Sequence, residues 1–397
     1  MLKQLHLKNF KSFAADAEPI PFAPVTILVG ANASGKSNVF DALRFLQGIG
    51  MGFTVPEIFV GKRVGGQLIY PGMRGGVEES CFAGTHEFSA RVVATLVTGG
   101  VLDGSRGAST PARCQFDYQV DCEIGPELRL REHFSADPGI REQVSTDNPP
   151  ASFTGRRSVL SELVDDREEP PAIRFYAGKL LVHLREMRFL EVRPGEMRKY
   201  VPVAADELGS HGENLSAVVR RICRDPEEKE TLLHWLSALC VPELTDISFD
   251  ETRTGDVLVQ LVEGDGKGRV ISARSLSDGT LRFFGLLAAM FTAPEGSLFL
   301  LEEIENGLHP TRVHLLVQLL EQFAEFRNLQ IIATTHSSQV LLSLSDEAMR
   351  DAVLFARHEE AVGTVVSRLG DLPYFEEVIK ESHIDQLFNT GWMEFAV

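Results

Sequence analysis

Gly30-Ala31-Asn32-Ala33-Ser34-Gly35-Lys36-Ser37 stands between an apolar run and a helical pattern, with a cation and a hydroxyl directly behind its second glycine. Glycines at this spacing let backbone N–H groups curl around a phosphate, and a helix starting behind them adds the positive end of its dipole. A lysine there neutralises β- and γ-phosphates, and the serine hydroxyl is a ligand for Mg²⁺. The expected phosphate site is therefore Gly30, Ala31, Asn32, Ala33, Ser34, Gly35, Lys36, Ser37 and the adjoining Asn38.

Four further groups could serve such a site. Leu298-Phe299-Leu300-Leu301 leads into Glu302-Glu303, an apolar strand ending in two carboxylates. Phosphoryl transfer to water uses one acid near the metal and one near the attacking water, which suits Glu302 and Glu303 respectively. Strand alternation would point the two side chains apart. Leu276-Ser277-Asp278-Gly279-Thr280 opens an apolar helix and can offer an anion the Ser277 hydroxyl and free N–H groups near Gly279. Ile331–Thr335 is a buried-type strand ending at His336 and Ser337, and Glu305–Pro310 is a polar turn before a helix. Taken singly, these four have ordinary structural readings: a solvated strand end, a capping turn, a satisfied histidine and a loop.

Several elements must position these residues. Alternation over 2–7 predicts an edge-type strand, and Val25–Val29 predicts a buried one. Val39, Phe40, Leu43, Phe45 and Leu46 recur at helical spacing until Gly48 and Gly50. Residues 50–110 are glycine-rich and irregular, and short antiparallel strands are expected at 114–120 and 128–131. Surface loops are expected at 135–150 and 164–171, and helices at about 177–191, 213–223, 226–240 and 310–326, with another behind Ser277. Further strands are expected at 247–249, 257–262, 297–301 and 329–334. There is no internal repeat and no sustained heptad.

Composition narrows the classes. The 397 residues carry 39 Lys+Arg against 56 Asp+Glu, a formal net charge of −17, so the average surface repels DNA, RNA and anionic membrane. Any nucleic-acid site must be local. At 44% hydrophobic residues the chain is neither disordered nor fibrous. Five cysteines without a CxxC pair indicate neither a zinc knuckle nor a secreted disulfide framework. The start lacks a signal-peptide core, and Phe283–Leu301, the most apolar region, is broken by Thr292 and the turn at 294–297. No membrane span and a cytoplasmic location are expected.

Together and in this order the motifs resemble the ATP-binding heads of ABC ATPases. More narrowly, they resemble the RecF, structural-maintenance-of-chromosomes and OLD-type branch of AAA-type ATPases of bacterial genome maintenance and phage defence. The resemblance covers about 1–47 and 270–345. It makes Gly30–Ser37 Walker A, Leu276–Thr280 the signature, Leu298–Glu303 Walker B, Glu305–Pro310 the D-loop and His336 the switch histidine. It also aligns Leu7–Phe13 with the family's start, where Lys11 would approach the nucleotide phosphates. The implied fold is an α/β P-loop NTPase, an ABC-ATPase head with a mixed sheet and flanking helices, carrying a β-rich then helical insert lobe. The head would take 1–50 and 246–397 and the insert 51–245.

The implied activity is ATP hydrolysis by two heads closing face to face. Lys36, Glu303 and His336 would be catalytic, Ser37 and Glu302 would hold Mg²⁺, and Ser277 and Gly279 would meet the nucleotide of the opposite protomer. A homodimer and a separate effector or nuclease are the implied partners. Two departures stand out: Walker B ends Glu-Glu rather than Asp-Glu, and the signature reads Leu-Ser-Asp-Gly-Thr. Gln67 is the candidate for the Q-loop glutamine. No TOPRIM nuclease domain is expected after His336, where length and an Asp-x-Asp cluster are both wanting. The basic stretch Arg185–Lys199, interleaved with glutamates, reads as a solvated helix and turn rather than a DNA strip. The aromatic tail at 387–395 could dock a partner or pack on its own core. A low-turnover ATP-sensing scaffold is the alternative function. A transporter subunit is disfavoured by the long insert, and GTP by the lack of an Asn-Lys-x-Asp run.

Overall fold

A computed structural model describes residues 1–98, 112–137, 140–145, 157–204, 207–239, 243–264, 268–357, 363–373 and 375–376. The chain divides into two compact units, Met1–Met187 with Ala348–Val397, and Arg188–Glu347.

The first unit begins with β1 (Leu2–Lys8), β2 (Ile20–Pro21), β3 (Val25–Gly30) and α1 (Lys36–Gly50). Then follow α2 (Val55–Val60), β4 (Lys62–Val64), β5 (Gln67–Tyr70), β6 (Glu87–Thr98), β7 (Ala112–Glu123), β8 (Arg129–Asp137) and β9 (Ile140–Ser145). Helices α3 (Val159–Asp165) and α4 (Pro171–Arg185) complete this stretch. One antiparallel sheet runs β2-β1-β6-β7-β8-β9. Strand β1 is thus an inner strand of that sheet, because β2 pairs its outer side. β6 lies inside the stretch expected to be irregular, and β9 inside an expected loop. Glycines on either side of β6 obscure its own alternation, and β9 is mostly polar, so pairing with the neighbouring strand defines both.

The second unit holds β10 (Arg188–Leu190), α5 (Pro194–Met197), β11 (Val201–Pro202), α6 (Leu215–Ile222) and α7 (Pro226–Leu239). It continues with β12 (Leu244–Glu251), β13 (Asp256–Glu263), β14 (Val270–Ser272), α8 (Asp278–Thr292), β15 (Leu298–Leu301), α9 (Val313–Phe326), β16 (Gln330–Thr335) and α10 (Ser338–Ser343). β10, β15 and β16 pair in parallel, while β11, β12 and β14 each pair antiparallel with β13. Every residue of β15 and β16 is buried, as expected of parallel strands covered on both faces. Helix α8 buries all but a few of its residues, which explains its nearly unbroken apolar sequence. The stretch Arg185–Lys199 is the end of α4, then strand β10 and the short α5, not one helix and turn. Its cations are paired with Glu186, Glu207, Glu191, Asp278 and Glu196. The chain then returns to the first unit, where β17 (Val353–Ala356) runs parallel to β3 and β18 (Val365–Arg368) antiparallel to β17.

No helix among the described residues is long and apolar enough to cross a membrane. The tail at 387–395 lies outside the described residues. The described cysteines, Cys81, Cys114, Cys122 and Cys223, are free thiols.

Candidate functional site

The phosphate loop lies entirely in the first unit. β3 is buried along its whole length and delivers Gly30 to a turn that L side chains rarely enter, at φ 150°. A Cβ there would sit 2.2 Å from the carbonyl oxygen of Phe355 on β17, so glycine is demanded by the neighbouring strand. Gly35 precedes α1 at φ 109°, and a Cβ on it would lie 2.5 Å from Oγ1 of Thr364. No side chain caps α1, leaving the first-turn N–H groups and the helix dipole directed at the loop. The Lys36 ammonium donates to the carbonyl oxygens of Gly30 and Ala31, each at 2.7 Å. A phosphate entering the loop would meet a cation already held at its rim.

Behind the loop runs a hydrogen-bond relay absent from the sequence reading. Thr364 Oγ1 is 2.9 Å from the carbonyl oxygen of Ser34 and 2.7 Å from Ser12 Oγ. A carbonyl only accepts, so the single Thr364 proton goes to Ser34, and Ser12 supplies the other bond. Ser12 Oγ in turn accepts from Asn38 Nδ2 at 2.8 Å, and the Thr364 N–H donates to the Ser12 carbonyl at 2.7 Å. Asn38 therefore braces the loop from behind.

Lys11, expected near the phosphates, has its ammonium 2.6 Å from Asp41 Oδ2, with both side chains buried, and donates to the Arg74 carbonyl at 2.8 Å. Asp41 also takes Arg74 Nε at 3.0 Å, and Arg74 Nη2 donates to the carbonyl oxygen of Ser37 at 2.6 Å. Asp41 thus organises two cations beside the first turn of α1. Asp41 and Arg74 escape the sequence reading; the signals available are an acid one turn beyond Ser37 and an arginine alone among glycines. Gln67 is an exposed residue at the start of β5.

The remaining candidates lie in the second unit. Ser277 is the N-cap of α8, its Oγ accepting from the Thr280 N–H at 3.1 Å. Arg198 clamps the same turn, donating to the Leu276 carbonyl at 2.8 Å and to Asp278 at 2.7 Å. A Cβ on Gly279 would stand 2.2 Å from the carbonyl oxygen of Gly307, so Gly279 is where the backbone of the 305–310 turn closes against α8.

β15 ends at Leu301, so Glu302 and Glu303 lie beyond the strand and its alternation does not govern them. Glu302 is exposed. Glu303 adopts φ 47°, a left-handed conformation that costs a non-glycine residue about 1 kcal/mol and is held only where neighbours enforce it. Its N–H donates to Thr334 Oγ1 at 2.9 Å, and its carboxylate accepts from Asn306 Nδ2. His336 follows β16, and its backbone N–H donates to Glu305 Oε1 at 3.0 Å. Adjacent parallel strands therefore carry Glu303 and His336 at the same end and tie them together through Thr334 and Glu305.

The RecF/RecN/SMC N terminal domain family matches residues 1–53. A model described as "AAA domain, putative AbiEii toxin, Type IV TA system" matches residues 137–343. An ATP/GTP phosphatase of Helicobacter pylori is 21% identical over 364 residues, 88% of this chain and 89% of that protein. The chromosome partition protein Smc of Halothermothrix orenii is 52% identical over 50 residues, 12% of this chain and 4% of the relative's length. A solved Smc head bound to the C-winged helix domain of ScpA is similar with a TM-score of 0.52 at 15% identity, over 92% of this chain and 97% of that one. This last likeness is one of fold. With the AAA-domain model matching just over half of the sequence, the chain belongs to that family, in the RecF and structural-maintenance-of-chromosomes branch of P-loop ATPases.

Proposed function

We propose that this chain hydrolyses ATP as a nucleotide-gated dimer and thereby switches a partner, in DNA maintenance or phage defence within the cytoplasm. The observation that carries the reading is the cross-tied end of β15 and β16, where the backbones of Glu303 and His336 are each bonded to a side chain of the other segment. In this reading Glu303 orients and deprotonates the attacking water, His336 contacts the terminal phosphate, and Lys36 neutralises the phosphates within the loop from Gly30 to Asn38. Ser277 and Gly279 meet the nucleotide of the second protomer.

A serine hydroxyl at an uncapped helix start and an exposed carboxylate past a buried strand are hard oxygen donors, which fit Mg²⁺. Ser37 and Glu302 would hold it, and the bound ion would supply neutralisation of phosphate charge. The division into a head of 1–50 and 246–397 with an insert at 51–245 belongs to the same proposal, the insert carrying partner specificity. The family description, with its toxin–antitoxin context, supports a defence role. The Smc head bound to a ScpA domain supports a separate protein partner, here an effector or nuclease. The ion-paired stretch from Arg185 to Lys199 and the −17 charge give no support to a DNA strip.

A Glu303→Gln protein should bind ATP, hydrolyse it poorly and accumulate as a dimer. Normal turnover in that variant would overturn the assignment. Glu302 in place of aspartate, one methylene longer at the metal-facing position, favours a second reading, a low-turnover scaffold whose ATP holds an effector in place. Steady-state ATPase assays with and without DNA separate the two.

A further inference from the structure

Glu305 enters the motif-based reading only as the first residue of the D-loop turn, with no task of its own, yet its carboxylate is bound directly to the switch histidine. Its side chain is 10% exposed. Oε1 accepts from the His336 backbone N–H at 3.0 Å and stands 3.2 Å from His336 Nδ1. Oε2 is buried and has no hydrogen-bond partner among the described residues. A carboxylate is an acceptor only, so a proton shared across this 3.2 Å contact is one carried by Nδ1. The neutral ring is then confined to the Nδ1–H tautomer, with Nε2 left as the nitrogen open to a ligand. A buried carboxylate oxygen without a partner is costly, and an apolar residue would remove that cost. Its presence beside a histidine indicates a task that needs the acceptor.

We propose that Glu305 is the positioning residue of His336: it fixes the ring's orientation and tautomer through Nδ1 and so presents Nε2 to the terminal phosphate. The second half of this statement rests on the ATPase reading, whereas the tautomer does not.

Two measurements test it. In protein labelled with ¹⁵N-histidine, with His336 assigned by its loss in His336→Gln, the wild-type ring should show protonated Nδ1 and unprotonated Nε2 above the pH at which the ring titrates. Glu305→Ala should convert it to a mixture or to the Nε2–H form, and Glu305→Gln, which keeps an acceptor oxygen, should restore the wild-type pattern. An unchanged His336 signal in Glu305→Ala would overturn the proposal, and this arm needs no turnover. For catalysis, Glu305→Ala should lower kcat about tenfold or more, the cost of a lost bond to a charged group, with ATP affinity held within about twofold. In a His336→Ala background the same change should cost nothing further. A full additional loss there would show that Glu305 acts elsewhere, and an unaltered tautomer with lowered kcat would reduce it to a structural residue. If the wild type proves inactive, the ATPase reading fails while the tautomer result still decides this one.

Discussion

The phosphate loop and the Glu303–His336 pair are built on opposite plans. The loop is one contiguous segment whose shape is dictated by backbone: two glycines that admit no Cβ, an uncapped helix, and an ammonium bound to two carbonyls. The pair is assembled from two strand ends about thirty residues apart, and each member is aimed by a side chain of the other strand or of the following turn. A backbone-built receptor tolerates substitution of its neighbours, because its donors remain in place. A site aimed by side chains loses geometry whenever one of them changes.

That contrast can be broken at several points. The largest effect is expected at Glu303: Glu303→Gln should lower kcat by about 10²- to 10⁴-fold, the span of general-base contributions, with ATP affinity little changed in equilibrium binding. Lys36→Ala should do the reverse, weakening ATP binding by about 10- to 150-fold, the loss of a charge-assisted bond, as read by titration calorimetry. Equal losses of affinity in both variants would erase the distinction between the two plans.

Acid probes the first unit by itself. His183 is held down to about 3 by burial, and its Nε2 is buried without a hydrogen-bond partner among the described residues. The native state thus refuses a proton that the unfolded chain takes up near pH 6.5. Stability is full above that pH and declines as pH falls from there towards 3, by up to about 1.4 kcal/mol per pH unit. His183→Leu should flatten that slope in denaturant titrations between about pH 4.5 and 7, and an unchanged slope would remove His183 as its source. The smallest effect is expected at the brace: Thr364→Val should raise KM for ATP by about 2- to 12-fold through one lost hydrogen bond, leaving kcat within twofold. A kcat loss as large as that of Glu303→Gln would show that the loop also depends on side-chain aim.

Legibility in the sequence follows the same division. The loop can be read because its eight residues are adjacent and its chemistry constrains each type. β3, β15 and β16 are equally plain, since buried parallel strands spell continuous apolar runs. Glu303 and His336 are recognisable by the order of the motifs, but what aims them is not: Thr334 and Glu305 face them only once the two strands pair. The left-handed turn at Glu303 defeats alternation, because the strand has already ended. β1 reads as an edge strand because its partner β2 is two residues long and carries no pattern. Lys11 is recognisable as a cation near the phosphate loop, yet its ammonium belongs to Asp41, a buried acid hidden within the helical pattern of α1.

The relay from Asn38 through Ser12 to Thr364 also bears on the order of events during synthesis. Ser12 and Thr364 are separated by 352 positions, a contact of very high sequence separation, whose closure is slow and late in folding. A nascent chain that has left the ribosome only as far as residue 350 already contains the complete phosphate motif, yet it lacks both the hydroxyl that fastens Ser34 and the strand β17 that lines Gly30. The loop therefore gains its full hydrogen-bond support only once synthesis has passed Thr364, and a ribosome stalled before that point would display the motif without its grip.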